Sequence, residues 1–351
     1  MAVNGNSLRS TLPNHRTQSN IRKWITSSML FFFFPDKNEL HVHIAIESDR
    51  LPVPPLRRGP PVGRFRPSLI MTGVQQLFRR PPASNRIGSL VSVMAVDCSH
   101  TKPGIEMATL TDVGRQRTNN EDSYLYWEAD SDEDFRRKGR LAVIADGMGG
   151  YEGGQEASRL AVETVRHVYD SEFTVDPQKT LVTALETAHR NIQRYAEEHP
   201  MFHGMGTTCT AVSIVGRDLS FAHVGDSRLY LVRGETVSRL TRDHSYVGRL
   251  VESGIVRSED AESHPQRHIL TAALGSGKEI APDKPDHPFA LREGDTLILC
   301  TDGLWSLVGE QDIAGVVRSS TPAESCTALV KMALERGGPD NVTLLVLRVA
   351  A

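Results

Sequence analysis

Apolar runs of strand length recur along the chain from about residue 106 to residue 351. They are rich in Val, Ile and Leu, and most are bounded by Gly, Asp or Asn, the pattern typical of β-strands. The runs that we predict as strands are LAVIAD (141–146), TCTAVSIVG (208–216), LSFAHVGD (219–226), SRLYLVRG (227–234), DTLILCTDG (295–303) and NVTLLVLRV (341–349).

The three runs between residues 208 and 234 follow one another with no room for a crossover helix. Strands joined this closely pair in the antiparallel direction. We therefore predict an antiparallel meander that turns at Gly216-Arg217-Asp218 and again near Gly225-Asp226.

Capping residues mark the ends of amphipathic helices. Thr321-Pro322-Ala323-Glu324 supplies a capping threonine, a proline at the first helical position and a glutamate at the third, and Gly337-Gly338 ends that helix. Asp176-Pro177 begins a helix that runs to about His199, with apolar positions at three- and four-residue steps. A further helix is predicted from about Gln155 to Tyr169.

Strands cluster with strands, and helices fall in pairs between them. This order favours an α+β fold in which helices cover antiparallel sheets. The acidic run EADSDEDFRRKGR (128–140) separates two apolar segments, and we predict a solvent-exposed hairpin loop there.

The first part of the chain differs in charge and composition. Residues 1–94 contain 13 Arg and Lys against four acids and hold ten of the 19 prolines, whereas the remainder has a net charge of −12. Dense proline removes backbone donors, and the apolar residues follow no sustained period. We predict a basic, Pro-rich, mostly disordered leader over residues 1–105 and a folded domain over 106–351. Alternatively, the true start lies near Met94 or Met107.

The apolar run ITSSMLFFFF (25–34) is ten residues long, whereas a helix needs about 20 to span a bilayer. Arg22 and Lys23 precede it, but no small-residue cleavage site follows. We therefore expect a cytoplasmic protein without a membrane span. The basic leader would suit anionic lipid or nucleic acid, although we favour an untranslated or disordered leader. Residues 106–351 resemble no nucleic-acid-binding element.

Four cysteines are widely spaced and form no CxxC pair: Cys98, Cys209, Cys300 and Cys326. This pattern predicts buried free thiols in a reducing compartment and argues against a zinc site.

Four segments place an aspartate at the end of an apolar stretch, beside Gly or Asn. They are ADGMGG (145–150), VGDSR (224–228), CTDGLW (300–305) and GGPDNVT (337–343). Each alone is ordinary turn chemistry, but four together indicate carboxylates that converge on one site. Two carboxylates about 4 Å apart repel by roughly 4 kcal/mol at an effective dielectric constant near 20, so protons or cations must neutralise them. Ligands made of oxygen alone favour Mg²⁺ or Mn²⁺ over zinc.

The segment RQRTNNEDS (115–123) contains residues that could bind a substrate phosphate beside such metals. Arg117 could hold a phosphate with two hydrogen bonds while Glu121 or Asp122 orients water at the metals. The alternative is that Arg117 simply pairs with Glu121 or Asp122 on the surface.

An ordered set of motifs resembles the bacterial branch of the metal-dependent serine/threonine protein phosphatases of type 2C, the PPM family. It covers about residues 106–349, nearly all of the organised chain. The resemblance implies a four-layer α/β/β/α sandwich of two antiparallel sheets with helix pairs outside. The motifs are TDVGRQRTNNEDSY, ADGMGG, GMGTTCTAV, HVGDSRLYLVR, LTRDHS, SHPQRHILTAALG, LCTDGLW and GGPDNVT.

By this resemblance Asp146 bridges two Mn²⁺ or Mg²⁺ ions, and Gly147 offers its backbone carbonyl to one of them. Asp302 and Asp340 complete the dinuclear set, and Arg117 binds the substrate phosphate.

The resemblance also implies supporting residues around this centre. Glu121 and Asp122 act on the metals through water, with Asn341 beside them. Asp226 and Asp302 hold a third metal ion. Residues from about Tyr246 to His268 form a flap next to the active site.

Two positions depart from patterns found in the family. Many eukaryotic members have a histidine, a proposed general acid, where this chain has Met148, although bacterial relatives often share the methionine. Methionine has no proton to donate, so the leaving group must be protonated by water or another group. Some relatives place serine, a contributor to the third metal site, where His268 stands.

The implied activity is hydrolysis of phosphoserine and phosphothreonine in proteins by metal-activated water, opposing a Ser/Thr protein kinase in signalling. No covalent phosphoenzyme is needed, so the cysteines need no catalytic role. We expect a monomer that acts on phosphoprotein substrates. The alternatives are a catalytically idle phosphatase-fold regulator and a phosphohydrolase for small molecules.

Overall fold

Two antiparallel β-sheets pack face to face, and helices cover the outer face of each. The computed structural model describes residues 102–350 apart from 151, 172, 262, 263 and 278. Most of the predicted leader, including Cys98, lies outside the described residues.

Each of the six predicted strand runs contains a strand, which confirms those predictions. The strands are β1 (Ile105–Asp112), β2 (Asp122–Glu128), β3 (Arg140–Met148), β4 (Gly206–Thr207), β5 (Cys209–Val215), β6 (Asp218–Val224), β7 (Arg228–Arg233), β8 (Thr236–Arg239), β9 (Phe289–Ala290), β10 (Thr296–Cys300) and β11 (Val342–Val349). The helices are α1 (Asp132–Lys138), α2 (Gly153–Ser171), α3 (Pro177–Glu198), α4 (Tyr246–Glu252), α5 (Ser258–Ala261), α6 (Asp302–Trp305), α7 (Glu310–Ser319) and α8 (Pro322–Glu335).

One sheet has the strand order β1-β11-β10-β7-β8, and the other has the order β2-β3-β5-β6-β9 with β4 paired to β3. Neighbouring strands pair in the antiparallel direction throughout both sheets. One end of the sandwich therefore contains the C-terminal ends of β1, β3, β6 and β10 and the N-terminal ends of their partners β2, β5, β7 and β11. This shared end of the sandwich holds the predicted aspartates.

The predicted meander over residues 208–234 is wrong in its last strand. β5 and β6 form the expected hairpin across Gly216-Arg217-Asp218, but β7 pairs with β10 and β8 in the other sheet. The chain changes sheet at Gly225, whose φ of +111° suits glycine. The close approach of Thr208 adds to this requirement, because a Cβ on Gly225 would lie 2.5 Å from the Thr208 side chain.

The apolar runs are continuous because both faces of each sheet are buried. Along β3, Leu141, Val143 and Ala145 pack against α2 and α3, whereas Ala142 and Ile144 face the other sheet. Alternate residues of one strand thus serve two different cores. A third core lies between the first sheet and helices α6, α7 and α8. This arrangement is the predicted α/β/β/α sandwich.

The caps of two helices form as the sequence predicts. The Asp176 side chain accepts hydrogen bonds from the backbone N–H groups of Gln178 and Lys179 at the start of α3. Thr321 and Glu324 form a reciprocal capping box at the start of α8. α2 begins at Gly153 rather than Gln155.

The predicted loop over 128–140 is wrong, because it contains helix α1. The Ser131 side chain caps this helix by accepting from the N–H of Asp134. Acidic residues occupy its first turn and basic residues its last, the arrangement that the helix dipole stabilises. The charge run that suggested a solvated loop therefore encodes a short exposed helix between β2 and β3.

The three cysteines among the described residues are buried and free, as predicted: Cys209, Cys300 and Cys326. Burial raises the pKa of each thiol to about 12. None of the helices in the described part of the chain is long and apolar enough to cross a membrane.

Candidate active site

A cleft of about 660 Å³ opens at the end of the sandwich where the aspartate motifs meet. It brings together all four predicted aspartates, the predicted arginine and part of the flap segment. Its walls include Arg117, Glu121, Asp146, Gly147, Met148, Thr208, Asp226, Arg267, His268, Asp302 and Asp340.

Asp146 lies near the end of β3, where its backbone is held on both sides. The Asp146 N–H donates to Thr208 Oγ1 at 2.9 Å, and the Asp146 carbonyl accepts from the Thr208 N–H at 2.9 Å. Thr207 Oγ1 donates to the same carbonyl at 2.8 Å. These bonds hold the main chain of Asp146 while its carboxylate faces the cleft.

Asp122 begins β2 directly opposite Asp146 in the strand register. Its Oδ2 accepts hydrogen bonds from Thr343 Oγ1 at 2.6 Å and from Thr301 Oγ1 at 3.0 Å. Its Oδ1 is buried and has no hydrogen-bond partner among the described residues. Burial raises the pKa of Asp122 to about 7, against the two threonine hydrogen bonds.

The carboxylates of the cleft perturb one another. Burial raises the pKa of Asp146 well above its usual range, and the carboxylates of Asp122, Asp302, Asp226 and Asp340 raise it further. Burial and Asp302 likewise raise the pKa of Asp226. The protein alone therefore holds too much negative charge in this cleft, and protons or cations relieve it.

Arg117 pairs with Asp340, and not with Glu121 or Asp122 as one sequence interpretation held. Its Nη2 donates to Asp340 Oδ2 at 2.8 Å, and half of the Arg117 side chain remains exposed at the cleft. The side chain is thus both charge-compensated and accessible to a ligand.

Asn341 fixes the segment that carries Arg117. Its Nδ2 donates to the carbonyls of Val113 and Asn119, and its Oδ1 accepts from the N–H of Glu121. One amide side chain next to Asp340 therefore holds both ends of the loop between β1 and β2.

Gly147 is required by close backbone packing. A Cβ at this position would lie 2.0 Å from the Gly154 carbonyl oxygen and 2.6 Å from that of Glu121. Close packing thus requires glycine here independently of the carbonyl ligand that the family resemblance implies.

Asp302 begins α6 directly after β10. His268 from the flap segment approaches it, with 3.6 Å between His268 Nδ1 and Asp302 Oδ2. Trp305, at the end of α6, donates from Nε1 to the carbonyl of Asp226 at 3.0 Å. α6 therefore links two of the predicted metal-ligating positions.

The donor set fits divalent cations of the Mg²⁺ or Mn²⁺ type. It offers carboxylate and carbonyl oxygens, an unpartnered buried Oδ1 on Asp122 and raised carboxylate pKa values. Among the described residues, no three His, Cys, Asp or Glu side chains form a ready-made ligand cluster. Backbone carbonyls and water would therefore complete the coordination, as is usual for Mg²⁺.

Sequence reasoning gave no role to several residues that shape the cleft. Thr207 and Thr208 lie within a motif that was recognised, but their hydrogen bonds to Asp146 depend on how β3, β4 and β5 meet. Trp305 belongs to CTDGLW, where only the aspartate drew attention. A tryptophan directly after a buried strand is usually buried, and its N–H then needs a hydrogen-bond acceptor nearby. That expectation could have identified Trp305 from the sequence.

Comparison with known proteins agrees with this architecture. Residues 114–335 match the model of the family described as Protein phosphatase 2C. The serine/threonine protein phosphatase PstP of Mycobacterium tuberculosis is 38% identical over 242 residues, which are 69% of this chain and 44% of that protein. Protein phosphatase PhpP of Streptococcus pneumoniae is 36% identical over 245 residues, 68% of this chain and 96% of the relative. The chain thus spans less than half of the first relative's length and nearly all of the second's.

Solved structures show the same fold. The crystal structure of M. tuberculosis PstP superposes with a TM-score of 0.63 and 36% identity, over 71% of this chain and 100% of that one. The PstP catalytic domain in complex with two manganese ions has a TM-score of 0.61 at 34% identity, over 71% and 99% of the two chains. Together with the four-layer sandwich, these matches show that the chain belongs to the protein phosphatase 2C family.

Proposed function

We propose that this chain hydrolyses phosphoserine and phosphothreonine in proteins, using two Mn²⁺ or Mg²⁺ ions. The observation that carries the proposal is the meeting of Asp146, Asp302 and Asp340 with Arg117 around one cleft. When bound, the cations would supply positive charge and activate water for attack on the phosphate. The manganese-bound PstP structure supports this choice of cofactor.

In this proposal Asp146, Asp302, Asp340 and the Gly147 carbonyl hold the two ions. Arg117 binds the substrate phosphate through its guanidinium, whose planar fork matches two phosphate oxygens. Its contact with Asp340 places that fork beside a metal-ligating position.

The surrounding residues act by positioning. Glu121 and Asp122 orient water through their carboxylates, and Asn341 keeps the loop of Glu121 in place. Asp226, with Asp302, takes up a third ion, at a site where His268 stands in place of the serine of some relatives. The third ion is the finer part of the proposal, and it is supported by the position of Asp226 and Asp302 in the same cleft, where burial and Asp302 raise the pKa of Asp226.

The leaving-group oxygen must gain a proton during the reaction. Met148 lines the cleft and has no proton to give. Water or another group of the cleft therefore supplies it.

We further propose that the chain opposes a Ser/Thr protein kinase in signalling and acts as a monomer on phosphoproteins. Residues 1–105 would be a leader that the chemistry does not require. The idle-regulator alternative loses support because each aspartate that we propose as a metal ligand lines the cleft.

Substrate comparison tests the proposal against a small-molecule phosphohydrolase. Metal-dependent rates would be measured on phosphothreonine peptides, nucleotides and sugar phosphates with the same enzyme preparation. We expect the largest kcat/KM on the phosphopeptides. Higher kcat/KM values on nucleotides or sugar phosphates would reject the protein-phosphatase assignment. If none of the three substrate classes is hydrolysed in the presence of Mn²⁺ or Mg²⁺, the proposal that this chain is a phosphatase is rejected.

A further inference from the structure

A second and larger cavity, of about 930 Å³, adjoins the catalytic cleft. We call it the flap groove, because one wall is formed by α4 and the segment before it. The opposite wall is formed by Trp305 and by the start of α7, residues 309–312. Arg267 lines both the flap groove and the catalytic cleft.

Two further chain segments connect the two spaces. Ser245 of the flap groove forms a β-bridge with Leu270 of the cleft. Trp305 of the groove is followed directly by Ser306 of the cleft. A polypeptide with one residue in the cleft could therefore continue into the groove.

The floor of the flap groove is preorganised. Arg228 is buried, with its guanidinium 3.6 Å from the centre of the Trp305 ring. It donates to both carboxylate oxygens of Asp243 and to the hydroxyl of Tyr230. Since these donors are already used, the floor gives shape to the groove, and ligands must find their polar partners on its rim.

Positive charge on the rim is only partly compensated. Arg242 is 73% exposed and only loosely paired, at 3.6 Å from Asp283 and 3.9 Å from Glu252. Arg267 forms no ion pair with any described side chain. By contrast, Arg257 is paired at 2.7 Å with Glu259 and at 2.8 Å with Asp260.

The facing wall carries acids of its own. Asp312 pairs with Arg336 at 2.9 Å, outside the groove, while Glu310 forms no ion pair with a described side chain. The groove therefore has a positive side, at the flap and next to the cleft, and a negative side at the start of α7. A ligand's acidic group would lie on the flap side.

We propose that the flap groove holds the stretch of substrate next to the phosphorylated residue, and that Arg242 and Arg267 select an acidic side chain there. The inference rests on the proposed phosphatase function and names its substrate class, phosphoproteins with an acidic residue near the phosphosite. The continuity with the cleft favours a substrate over a second copy of the chain or an independent ligand.

The test uses phosphothreonine peptides that differ only in having Glu, Ala or Lys near the phosphothreonine, on either side. We expect the full chain to show its highest kcat/KM on an acidic peptide. Arg242→Glu should lower that value about fivefold, the range of an exposed ion pair, and should raise the value for the basic peptide. The preference should weaken at high salt.

Arg249→Glu is the matched control, since Arg249 is an exposed arginine of α4 that does not line the groove. Hydrolysis of p-nitrophenyl phosphate should be unchanged in both variants, which shows that the cleft is intact. Equal rates on all peptides, a basic preference, or equal effects of the two variants would overturn the flap-groove inference and leave the phosphatase function standing. Absence of phosphopeptide hydrolysis in the unmodified chain would overturn the proposed function itself.

Discussion

Asp146 carries a charge that opposes folding at a position where we propose a metal ligand. Its backbone is tied to Thr207 and Thr208, yet its carboxylate stands among others that raise its pKa. Such crowding destabilises the charged protein alone and would favour the binding of cations. The electrostatic cost to folding and the proposed metal binding arise from the same geometry.

Replacing Asp146 or Asp302 with alanine should abolish Mn²⁺-dependent hydrolysis of p-nitrophenyl phosphate, because each removes a proposed metal ligand. The fold should survive, since each variant also removes one of several mutually repelling carboxylates. Kinetics, calorimetric Mn²⁺ titration and thermal unfolding would check this together. Asp218→Ala, at an exposed aspartate of β6, is the control. Retained activity in either variant would contradict the metal assignment.

Arg117→Ala should mainly raise the KM for a phosphothreonine peptide, by about tenfold or more, since a hydrogen bond to a charged group contributes about 1.5–3 kcal/mol. Steady-state kinetics would measure the KM of each variant. Arg136→Ala, at an exposed position of α1, is the control. Arg117→Lys should recover part of the loss, because it restores the charge without the planar fork. An unchanged KM for Arg117→Ala would remove Arg117 from the phosphate site.

At the scale of elements, local signals set where helices begin, and strand pairing sets which side chains meet. The capping box at Thr321 is contained within four residues of sequence, so it forms as the sequence predicts. The crossing of β7 into the other sheet depends on its pairing with β10, whose residues lie 64 to 72 positions further along the chain, from the pair Val232–Thr296 to the pair Arg228–Cys300.

Thr321→Ala should lower the free energy of unfolding by about 1 kcal/mol, the typical value of a helix N-cap. The reason is that Glu324 loses its hydroxyl partner and its own backbone N–H loses an acceptor. Urea unfolding would measure the change, and catalysis should be unaffected. Thr327→Ala, at an exposed position of the same helix, should change stability far less; equal losses would show that the cap is not the cause.

His223 joins β6 to the segment before α4. Its Nε2 donates to the carbonyls of Gly225 and Arg242, and its Nδ1 accepts from Thr210 Oγ1, so the folded protein holds the neutral ring. Burial and the nearby His244 lower the pKa of His223 to about 4. The unfolded chain, with a histidine pKa near 6.5, therefore binds a proton that the folded chain does not.

Because of this difference, His223 should make the free energy of unfolding fall as the pH drops from about 6.5 to about 4, by up to about 1.4 kcal/mol per pH unit. Urea unfolding across this range would measure the slope. His223→Gln should be less stable at pH 7 but should show a smaller loss on acidification. His203→Gln, at an exposed histidine, is the control. Parallel pH profiles for His223→Gln and the unmodified chain would contradict the prediction.

At the scale of the whole molecule, the described fold accounts for the proposed site without residues 1–101. Strand β1 begins at Ile105 and pairs along its full length with β11. Within the described part of the chain, the residues that line the cleft fall between Arg117 and Asp340.

A chain that begins at Met94 should therefore keep the kcat/KM of the full chain on p-nitrophenyl phosphate and phosphopeptides, and its thermal midpoint should change by less than about 2 °C. Parallel kinetics and calorimetry of the two chains would check this. A tenfold loss of activity, or a clearly lower midpoint, would show that the first 93 residues contribute to the domain.

The sequence by itself determined six of the strands, the three longest helices, the caps of α3 and α8 and the carboxylates that lie at strand ends. These features depend on neighbours within a few residues, through side-chain periodicity and local hydrogen bonds. The family resemblance added the expectation that these strands and helices form a four-layer sandwich. Only the tertiary structure decided that β7 joins the other sheet, that Arg117 pairs with Asp340 and that the flap groove adjoins the cleft. Those outcomes depend on contacts between residues distant in sequence, where packing and charge from several elements act together.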